Sequence, residues 1–523
     1  MNLAAVLLSH PEDRSALILE DGAEMTYGAL VAAASEMRAR LSDSGVVAGD
    51  RVVMVLGNDP AFVISYLAIL GVGAVAVPLN PASPASELRR QVADVRPVAL
   101  VVNGTVVNGT VANTRVANAG LSGDVAALAG DSGIALVAPV EAGHAGGPAA
   151  GPPVVDREPD DLAVLMFTAG TGGSPKPAML SHGNLLANLQ HLDSPPGELL
   201  ADDVILGSLP FFHIFGLNVV LGGALYVGAP VVLVEQFHGD AALHLITRCG
   251  VTVLVGSPTM YAALEALPDP PANARALERV RVAYCGAAPL TADVASAWER
   301  RFGQPLRQGY GLTEASPAVT RPSINQHPRP DSIGAPLPGV EVRLVDEDGD
   351  DSLAGDPGEI WVRGANVFSG YWGDRQATAE VLTPDGWLRT GDVAVAGDDG
   401  QLYMVDRAKD LVIVSGFNVY PAEVEETLAQ HPAVAEVAVV GAPDSFRGET
   451  VKAFVVARQD AQVTEEELSR FCADHLVGYK CPSSISLVPS LPHGLAGKLL
   501  RRALMEQAAE GRPDATAEPG GWR

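Results

Sequence analysis

The sequence predicts an α/β fold in two parts: a large N-terminal unit of sheets covered by helices, then a smaller α+β unit. Three observations predict it. Apolar, β-rich runs alternate with helical patterns through most of the 523 residues, as in strand–helix–strand units. The strands among them read as continuous apolar runs, which is how strands buried on both faces look. After about Asp406 the order changes to strand, turn, helix, strands and helix within about a hundred residues, enough for an independent small domain.

In chain order, residues 26–42 read as an amphipathic helix and Arg51–Leu56 as a short buried strand. Further buried strands are expected at Ala99–Val102, Val204–Leu209, Pro230–Val234, Val251–Val255 and Val280–Tyr284. The stretch VVNGTVVNGTVANTRVANAG, from Val101, is an imperfect five-residue repeat. It has too few units for a solenoid and reads as a surface insertion. Residues 143–160, rich in Gly, Pro and Ala, read as a linker or mobile crossing. In the smaller unit a strand is expected at Asp410–Val414, a helix at Pro421–Gln430, strands at Val434–Val440 and Val451–Ala457, and a helix at Glu465–His475. The polar, Pro/Gly-rich tail after Gly511 is expected to fray.

Composition narrows the function classes. With 47% hydrophobic and 19% charged residues the chain reads as globular. A formal charge of −27 argues against a nucleic-acid backbone as partner, while leaving room for a local basic pocket for small anions. The four cysteines (Cys249, Cys285, Cys472, Cys481) lack C-x-x-C spacing and suggest thiols in a reducing compartment rather than a zinc site or disulfide framework. The apolar patch Leu3–Leu8 has no preceding Lys or Arg. Neither a signal peptide nor a transmembrane segment is expected, the cytoplasm is the default location, and the two N-x-T sequons of the repeat carry no weight there.

Two phosphate-binding patterns are excluded on order and spacing. Gly71-Val-Gly73-Ala-Val-Ala76 fits a dinucleotide fingerprint by letter, yet it follows a helical run and leads into a strand, the reverse of the required order. Lys176 lies between Pro175 and Pro177, where a P-loop needs Gly and Ser or Thr. The segment TAGTGGSPK (168–176) is different. It follows an apolar strand, Leu162–Phe167, and its glycines Gly170, Gly172 and Gly173 let backbone approach a polyanion. Thr168 and Thr171 offer hydroxyls and Lys176 a point charge; alone, the segment is equally compatible with a plain Gly-rich loop.

Six later motifs accompany that loop: PFFHIFG (210–216), CGAAPL (285–290), QGYGLTE (308–314), GWLRTGD (386–392), DRAKDLVIVSGFNVYPAEVE (406–425) and GLAGKLLRR (494–502). Together, and in this order, they resemble the adenylate-forming superfamily of acyl-CoA synthetases, luciferase and adenylation domains, and most closely bacterial fatty-acyl-CoA ligases. The resemblance covers nearly the whole chain. It implies stacked sheets in a large domain, 1–405, that binds acid and ATP, and a mobile small domain, 406–523, that carries a hinge, a CoA channel and a catalytic lysine.

The resemblance also implies roles. In QGYGLTE, Gln308, Gly309 and Gly311 surround Tyr310, which stacks on adenine, while Thr313 contacts the α-phosphate and Glu314 holds Mg²⁺, a cation that needs hard oxygen ligands. Gly286 and Ala287 pass their backbone along the adenine. Asp392 accepts the ribose hydroxyls and Arg407 supports the same sugar. Lys498 bridges the attacking carboxylate and the α-phosphate, stabilising charge where two anions meet. His213, which by its aromatic neighbours alone reads as a core residue, matches an acyl-pocket gate or orienter. Lys409 is the hinge, and Ser415, Gly416 and Phe417 line the pantetheine channel. The run Leu217, Val219, Val220, Gly222, Gly223 is expected to form an apolar acyl wall.

The implied reaction turns a carboxylic acid, ATP and CoA into acyl-CoA through acyl-AMP. The alternatives are a ligase that loads an acyl-carrier protein, an aryl-CoA ligase, and a degenerate nucleotide or acyl binder. Ala169 and Gly172 stand where the family carries hydroxyls, and Pro177 where it carries Gly. Each lost charge-assisted hydrogen bond costs about 1.5–3 kcal/mol, so a raised KM for ATP is expected.

Overall fold

Four sheets of five or more strands organise the described residues of the molecule, a computed structural model of the chain. The structure describes residues 1–102, 105–107, 110–112, 134–140, 151–169, 175–195, 199–268, 277–288, 290–325, 327–329, 332–346, 348–353, 355–407, 412–458, 461–492 and 501–510. The first sheet runs Leu306–Gln308, Val282–Cys285, Val253–Gly256, Ile205–Gly207, Val231–Leu233, Ser15–Ile18 and Glu24–Thr26, parallel except for the last hairpin. The second runs Pro175–Ser181, Leu162–Ala169, Val75–Leu79, Arg51–Val55, Ala99–Val102 and Ala135–Val137. Its inner strands Val75–Leu79, Arg51–Val55 and Ala99–Val102 are parallel and, apart from Arg51, buried throughout, which is why they read as apolar runs.

Helix starts follow local chemistry. The helix Tyr27–Asp43 begins where the Thr26 side chain accepts from the Ala29 N–H, and it buries Leu30, Ala34, Met37 and Leu41 on one stripe. The helix Pro60–Gly71 starts on an Asp59 cap with Pro at its first position. It is apolar all round, and every residue from Ala61 to Gly71 is buried. Gly71 ends that helix and Val75 opens a strand, so the Gly71–Ala76 pattern has helix-then-strand order.

The third sheet is antiparallel, in the order Tyr310–Gly311, Ala318–Arg321, Ser332–Pro336, Leu402–Arg407, Leu388–Ala396, Gly358–Arg363, Glu341–Val345. The fourth holds Phe417–Val419, Val412–Val414, Gly448–Ala457 and Val434–Asp444, with Ser484–Leu487 added in parallel. Its own core is built from Val424 and Leu428 of the helix Pro421–Ala429, Leu468 of the helix Glu465–Ala473, and Val439, Val455 and Ile485 of the sheet.

Three expectations are corrected or sharpened. The hairpin of the fourth sheet runs four residues further than Val440, to Asp444, because the ladder continues through Asp444↔Gly448 despite Gly441 and Pro443. Of the linker or mobile crossing expected at 143–160, residues 143–150 lie outside the described residues, while 151–157 are bonded to neighbouring elements: Arg38 donates to the Pro152 carbonyl (2.9 Å), Val155 N–H to Gly71 (2.8 Å) and Asn2 to Val155 (2.9 Å). Within the repeat, Val101 and Val102 end a buried strand of the second sheet and Thr105–Val107 pairs with Thr110–Ala112 as a two-stranded ribbon; residues 103–104, 108–109 and 113–120, and the tail after Gly511, lie outside the described residues. No described helix is long and apolar enough to cross a membrane.

Candidate active site

A cavity of about 1160 Å³ opens where the ends of the first sheet meet the third and fourth sheets. Parallel strands end there at Gly256, Cys285 and Gln308, so the turns that follow present backbone to the cavity. Gly286 and Ala287 line it directly after Cys285. A Cβ on Gly286 would lie 3.0 Å from the Phe215 ring, so the small residue keeps that ring in the wall. Gln308, Gly309, Tyr310, Gly311, Thr313 and Glu314 line the cavity as one continuous strip. At Gly311 any side chain would run into the Pro317 carbonyl.

The strip is held by asparagines that sequence reasoning missed. Asn366 donates to the Ala315 carbonyl (2.9 Å), Asn188 to Ala318 (2.8 Å) and Asn218 to Ser316 (2.7 Å), all three side chains being buried. Buried amides of this kind are satisfied only by one backbone course, so they fix the Thr313–Ala318 turn. Glu314 is buried at its start and accepts a hydrogen bond from the Tyr371 hydroxyl at 2.7 Å. Burial first, and then the Glu314 carboxylate, pushes the Tyr371 phenol up, so it remains a donor.

Across the cavity, Asp392 accepts from the Tyr310 hydroxyl at 2.7 Å. Burial, then the adjacent Asp392 charge, holds that phenol well above its ordinary value. Thr390 sets the course of Asp392 by bonding the Ile360 carbonyl (2.7 Å) and accepting from the Asp392 N–H (3.1 Å). Arg407 is the cross-strand neighbour of Asp392 in the third sheet. Thr168, at the end of the Leu162–Ala169 strand, also lines the cavity.

His213 sits on the apolar side. Asn58, itself buried, accepts from Phe211 N–H and donates to the Leu209 carbonyl, fixing the loop that delivers the histidine. The Phe215 N–H donates to His213 Nδ1 at 3.3 Å, which leaves the ring proton on Nε2. Burial lowers the His213 pKa to about 4, so the ring is neutral near pH 7. The following segment, Phe215–Gly222, is a π-helix. Of the expected acyl wall only Val219 reaches the cavity, together with Phe215. Leu217 and Val220 are fully buried; a side chain at Gly222 would press on Asn218 of the same helix, and one at Gly223 on Leu199, itself a cavity-lining residue.

From the fourth sheet, the turn Ser415-Gly416 reaches the same space. Gly416 has φ +89° and lines the cavity; a Cβ there would stand 2.8 Å from Ser257 Cβ. Ser415, also at positive φ, donates its N–H to the Arg447 carbonyl (2.8 Å), and Phe417 turns to stack on Tyr479, ring centroids 4.4 Å apart. Lys176 is paired with Asp374 at 2.9 Å rather than directed at the strip. Pro175 and Pro177 lie on the edge strand of their sheet, where proline is tolerated. Gly170, Thr171, Gly172, Gly173, Lys409 and Lys498 lie outside the described residues.

Comparison with known proteins decides what this cavity belongs to. Residues 4–372 match the family model described as AMP-binding enzyme, and residues 423–498 match AMP-binding enzyme C-terminal domain. The chain belongs to the AMP-binding enzyme family. It is 34% identical over 527 residues to the long-chain-fatty-acid–CoA ligase of Bacillus subtilis, covering 94% of this chain and 91% of the relative. Among solved structures it resembles the o-succinylbenzoate CoA synthetase of Bacillus subtilis bound to a product analogue, OSB-NCoA, with TM-score 0.83, 29% identity, and 97% and 98% of the two chains covered. It also resembles ATP-bound MatB of Rhodopseudomonas palustris, with TM-score 0.71, 32% identity and 97% and 98% coverage. The protein is an AMP-forming acyl-CoA synthetase, an acid–thiol ligase of mixed α/β fold with a smaller C-terminal domain, and ATP and CoA are substrates of its family.

In this ligase the donors around Glu314 fit Mg²⁺ on chemical grounds. One buried carboxylate beside the Thr313 hydroxyl is an all-oxygen set, and Mg²⁺ is commonly held by one or two carboxylates plus substrate phosphates. Among the described residues no cluster of three or more His, Cys, Asp or Glu offers a closed protein cage.

Proposed function

We propose that this ligase activates a fatty acid. The observation that carries the reading is the apolar part of the cavity: Leu192, Leu199, Ile205, Phe215 and Val219 line it together with the Gln308–Glu314 strip. The similarity to a long-chain-fatty-acid–CoA ligase supports it. In the first half-reaction a carboxylate oxygen attacks the α-phosphorus of ATP and the bond to the pyrophosphate oxygen breaks. Tyr310 and the Gly286–Ala287 backbone hold adenine, and Asp392 with Arg407 holds the ribose. The 168–173 segment, with Thr168 at the cavity, holds phosphates, and Lys498 spans the two reacting anions. Glu314, oriented by Tyr371, and Thr313 would hold Mg²⁺, which supplies charge neutralisation on the phosphates. His213, neutral with its proton on Nε2, donates a hydrogen bond to the acid and carries no charge to it.

In the second half-reaction the CoA sulfur attacks the acyl carbonyl, its proton passes to solvent, and AMP leaves with the bridging oxygen. The small domain, 406–523, turns about Lys409 between the two halves, withdrawing Lys498 and bringing Ser415-Gly416 to the cavity of the large domain, 1–405. The position of Gly416 against Ser257 supports this. So does the closer match to the structure bound to a CoA product analogue than to the ATP-bound one, at equal coverage of this chain.

An aryl acid is the second reading, favoured by the likeness to o-succinylbenzoate CoA synthetase. ATP–pyrophosphate exchange across fatty, aryl and dicarboxylic acids, with mass-spectrometric detection of the thioester, separates the two. Preference for an aryl acid would overturn the fatty-acid assignment. Lys498→Ala should abolish adenylate formation yet spare thioester formation from supplied acyl-AMP; equal loss of both would remove the role given to Lys498.

A further inference from the structure

Three buried charges, with a fourth that is half-exposed, join the two domains. Lys480, on the short turn Gly478–Lys480, is 6% exposed. Its Nζ donates to Glu423 Oε1 of the Pro421–Ala429 helix at 2.9 Å and to Glu87 Oε1 of the Ala85–Val95 helix, also at 2.9 Å. Glu423 belongs to the small domain and Glu87 to the large one; they are 1% and 3% exposed. A second cation crosses the same boundary, since Arg90 reaches Glu423 Oε1 at 3.2 Å. Gln91, one turn beyond Glu87, donates to Glu87 Oε1 at 3.4 Å. Ser86 adds a hydrogen bond to the Asp474 carbonyl at 3.1 Å.

Two features make this more than a fold-stabilising pair. The cluster is only partly satisfied: Glu87 Oε2, Glu423 Oε2 and Gln91 Oε1 are buried with no partner among the described residues. Buried charges held this way are costly unless their mutual attraction is complete, so the interface gains little net stability and gains orientation instead. The cluster is also coupled to the cavity by contact. Tyr479, adjacent to Lys480, stacks on Phe417, and Phe417 follows the glycine that stands against Ser257. Separating the domains would leave Lys480 with Glu423, give Glu87 back to water, and part Arg90 from Glu423, so two cross-domain ion pairs, that of Lys480 and Glu87 being the buried one, are made and broken with each turn.

We infer that Glu87 is a positioning residue: its pair with Lys480 is an electrostatic latch for the arrangement that admits Gly416 to the cavity, and so for the thioester-forming half-reaction. This rests on the reading that the small domain turns between the two halves. Neither Glu87 nor Lys480 contacts ATP, acid or CoA in that reading; they act through the placement of the Ser415–Phe417 turn.

The test measures the two half-reactions separately in the full-length enzyme. Glu87→Gln keeps the shape and removes the charge. The expected result is a fall of tenfold or more in the single-turnover rate of thioester formation from supplied acyl-AMP and CoA, with ATP–pyrophosphate exchange within twofold of wild type. A merely structural role would lower the melting temperature and slow both halves together, and that outcome, or no change in either, overturns the latch. Arg90→Gln, at a half-exposed side chain, should give the same split with a smaller amplitude, and it decides the matter if Glu87→Gln does not fold. Failure of the underlying reading is seen elsewhere. If Lys498→Ala loses both halves equally, the turning domain is wrong; if it splits them as stated while Glu87→Gln and Arg90→Gln do not, the latch alone is wrong.

Discussion

The contact between Tyr371 and Glu314 carries a sharp prediction. Tyr371→Phe removes one oxygen atom and leaves the ring, which is 4% exposed and packs edge-on against Phe368 at 5.0 Å, in place. What is lost is the 2.7 Å hydrogen bond that holds the Glu314 carboxylate toward the cavity. Hydrogen bonds to a charged group contribute about 1.5–3 kcal/mol. If that orientation is needed in the adenylating transition state, kcat/KM for adenylation falls by about 10- to 150-fold, at roughly 1.4 kcal/mol per factor of ten. The assay is acid-dependent ATP–pyrophosphate exchange, run beside single-turnover conversion of supplied acyl-AMP to thioester. The second rate should stay near wild type, because in the proposed reaction the metal held by Glu314 serves departure of pyrophosphate, which supplied acyl-AMP does not carry. A loss below threefold in exchange, or an equal loss in both assays, would refute the reasoning.

Two further outcomes follow from local geometry. Gly416→Ala places a Cβ at φ +89° and 2.8 Å from Ser257 Cβ; strain of about 1–3 kcal/mol should slow thioester formation about 5- to 150-fold while leaving exchange nearly intact, and a larger effect on exchange would contradict the placement of this turn. His182 is buried, accepts from the Leu3 N–H, and has its pKa lowered from 6.5 to about 4, mainly by burial and then by Arg157. The unfolded chain therefore binds a proton at His182 below pH 6.5 that the folded chain refuses until about pH 4, so stability from this group is lost as pH falls through that window. Urea unfolding of His182→Gln should show a stability drop between pH 7 and pH 5 smaller than wild type by about 2 kcal/mol; parallel drops would show that His182 is not the group responsible.

Much of the fold was legible because its strands are buried on both faces. Val52–Val55 and Ala99–Val102 could not read otherwise once helices cover them. The turn residues of the candidate site were legible for a different reason: Gly311 is forced by the Pro317 backbone carbonyl, and Gly286 by the Phe215 ring packed against it. What stayed hidden depends on pairs far apart in the chain. Tyr371 meets Glu314 across 57 residues and Lys480 meets Glu87 across 393, and no local pattern marks either partner. Asn188, Asn218 and Asn366 looked like ordinary polar residues until their carbonyl partners came together. The composition of 151–157 suggested mobility, yet three backbone carbonyl or N–H groups of that segment and its neighbours are engaged, and bonding rather than composition decides order. Gly222, expected in the acyl wall, instead leaves space for the Asn218 side chain one turn away.

The most direct test of the central claim is the product balance of one turnover. Wild-type enzyme, Mg²⁺–ATP and a long-chain fatty acid should give acid-dependent pyrophosphate and an enzyme-bound acyl-adenylate detectable by mass spectrometry. Adding CoA should then release acyl-CoA and AMP in equal amounts. ADP and phosphate in place of AMP and pyrophosphate, or a thioester formed on a holo-carrier protein but never on free CoA, would contradict the account.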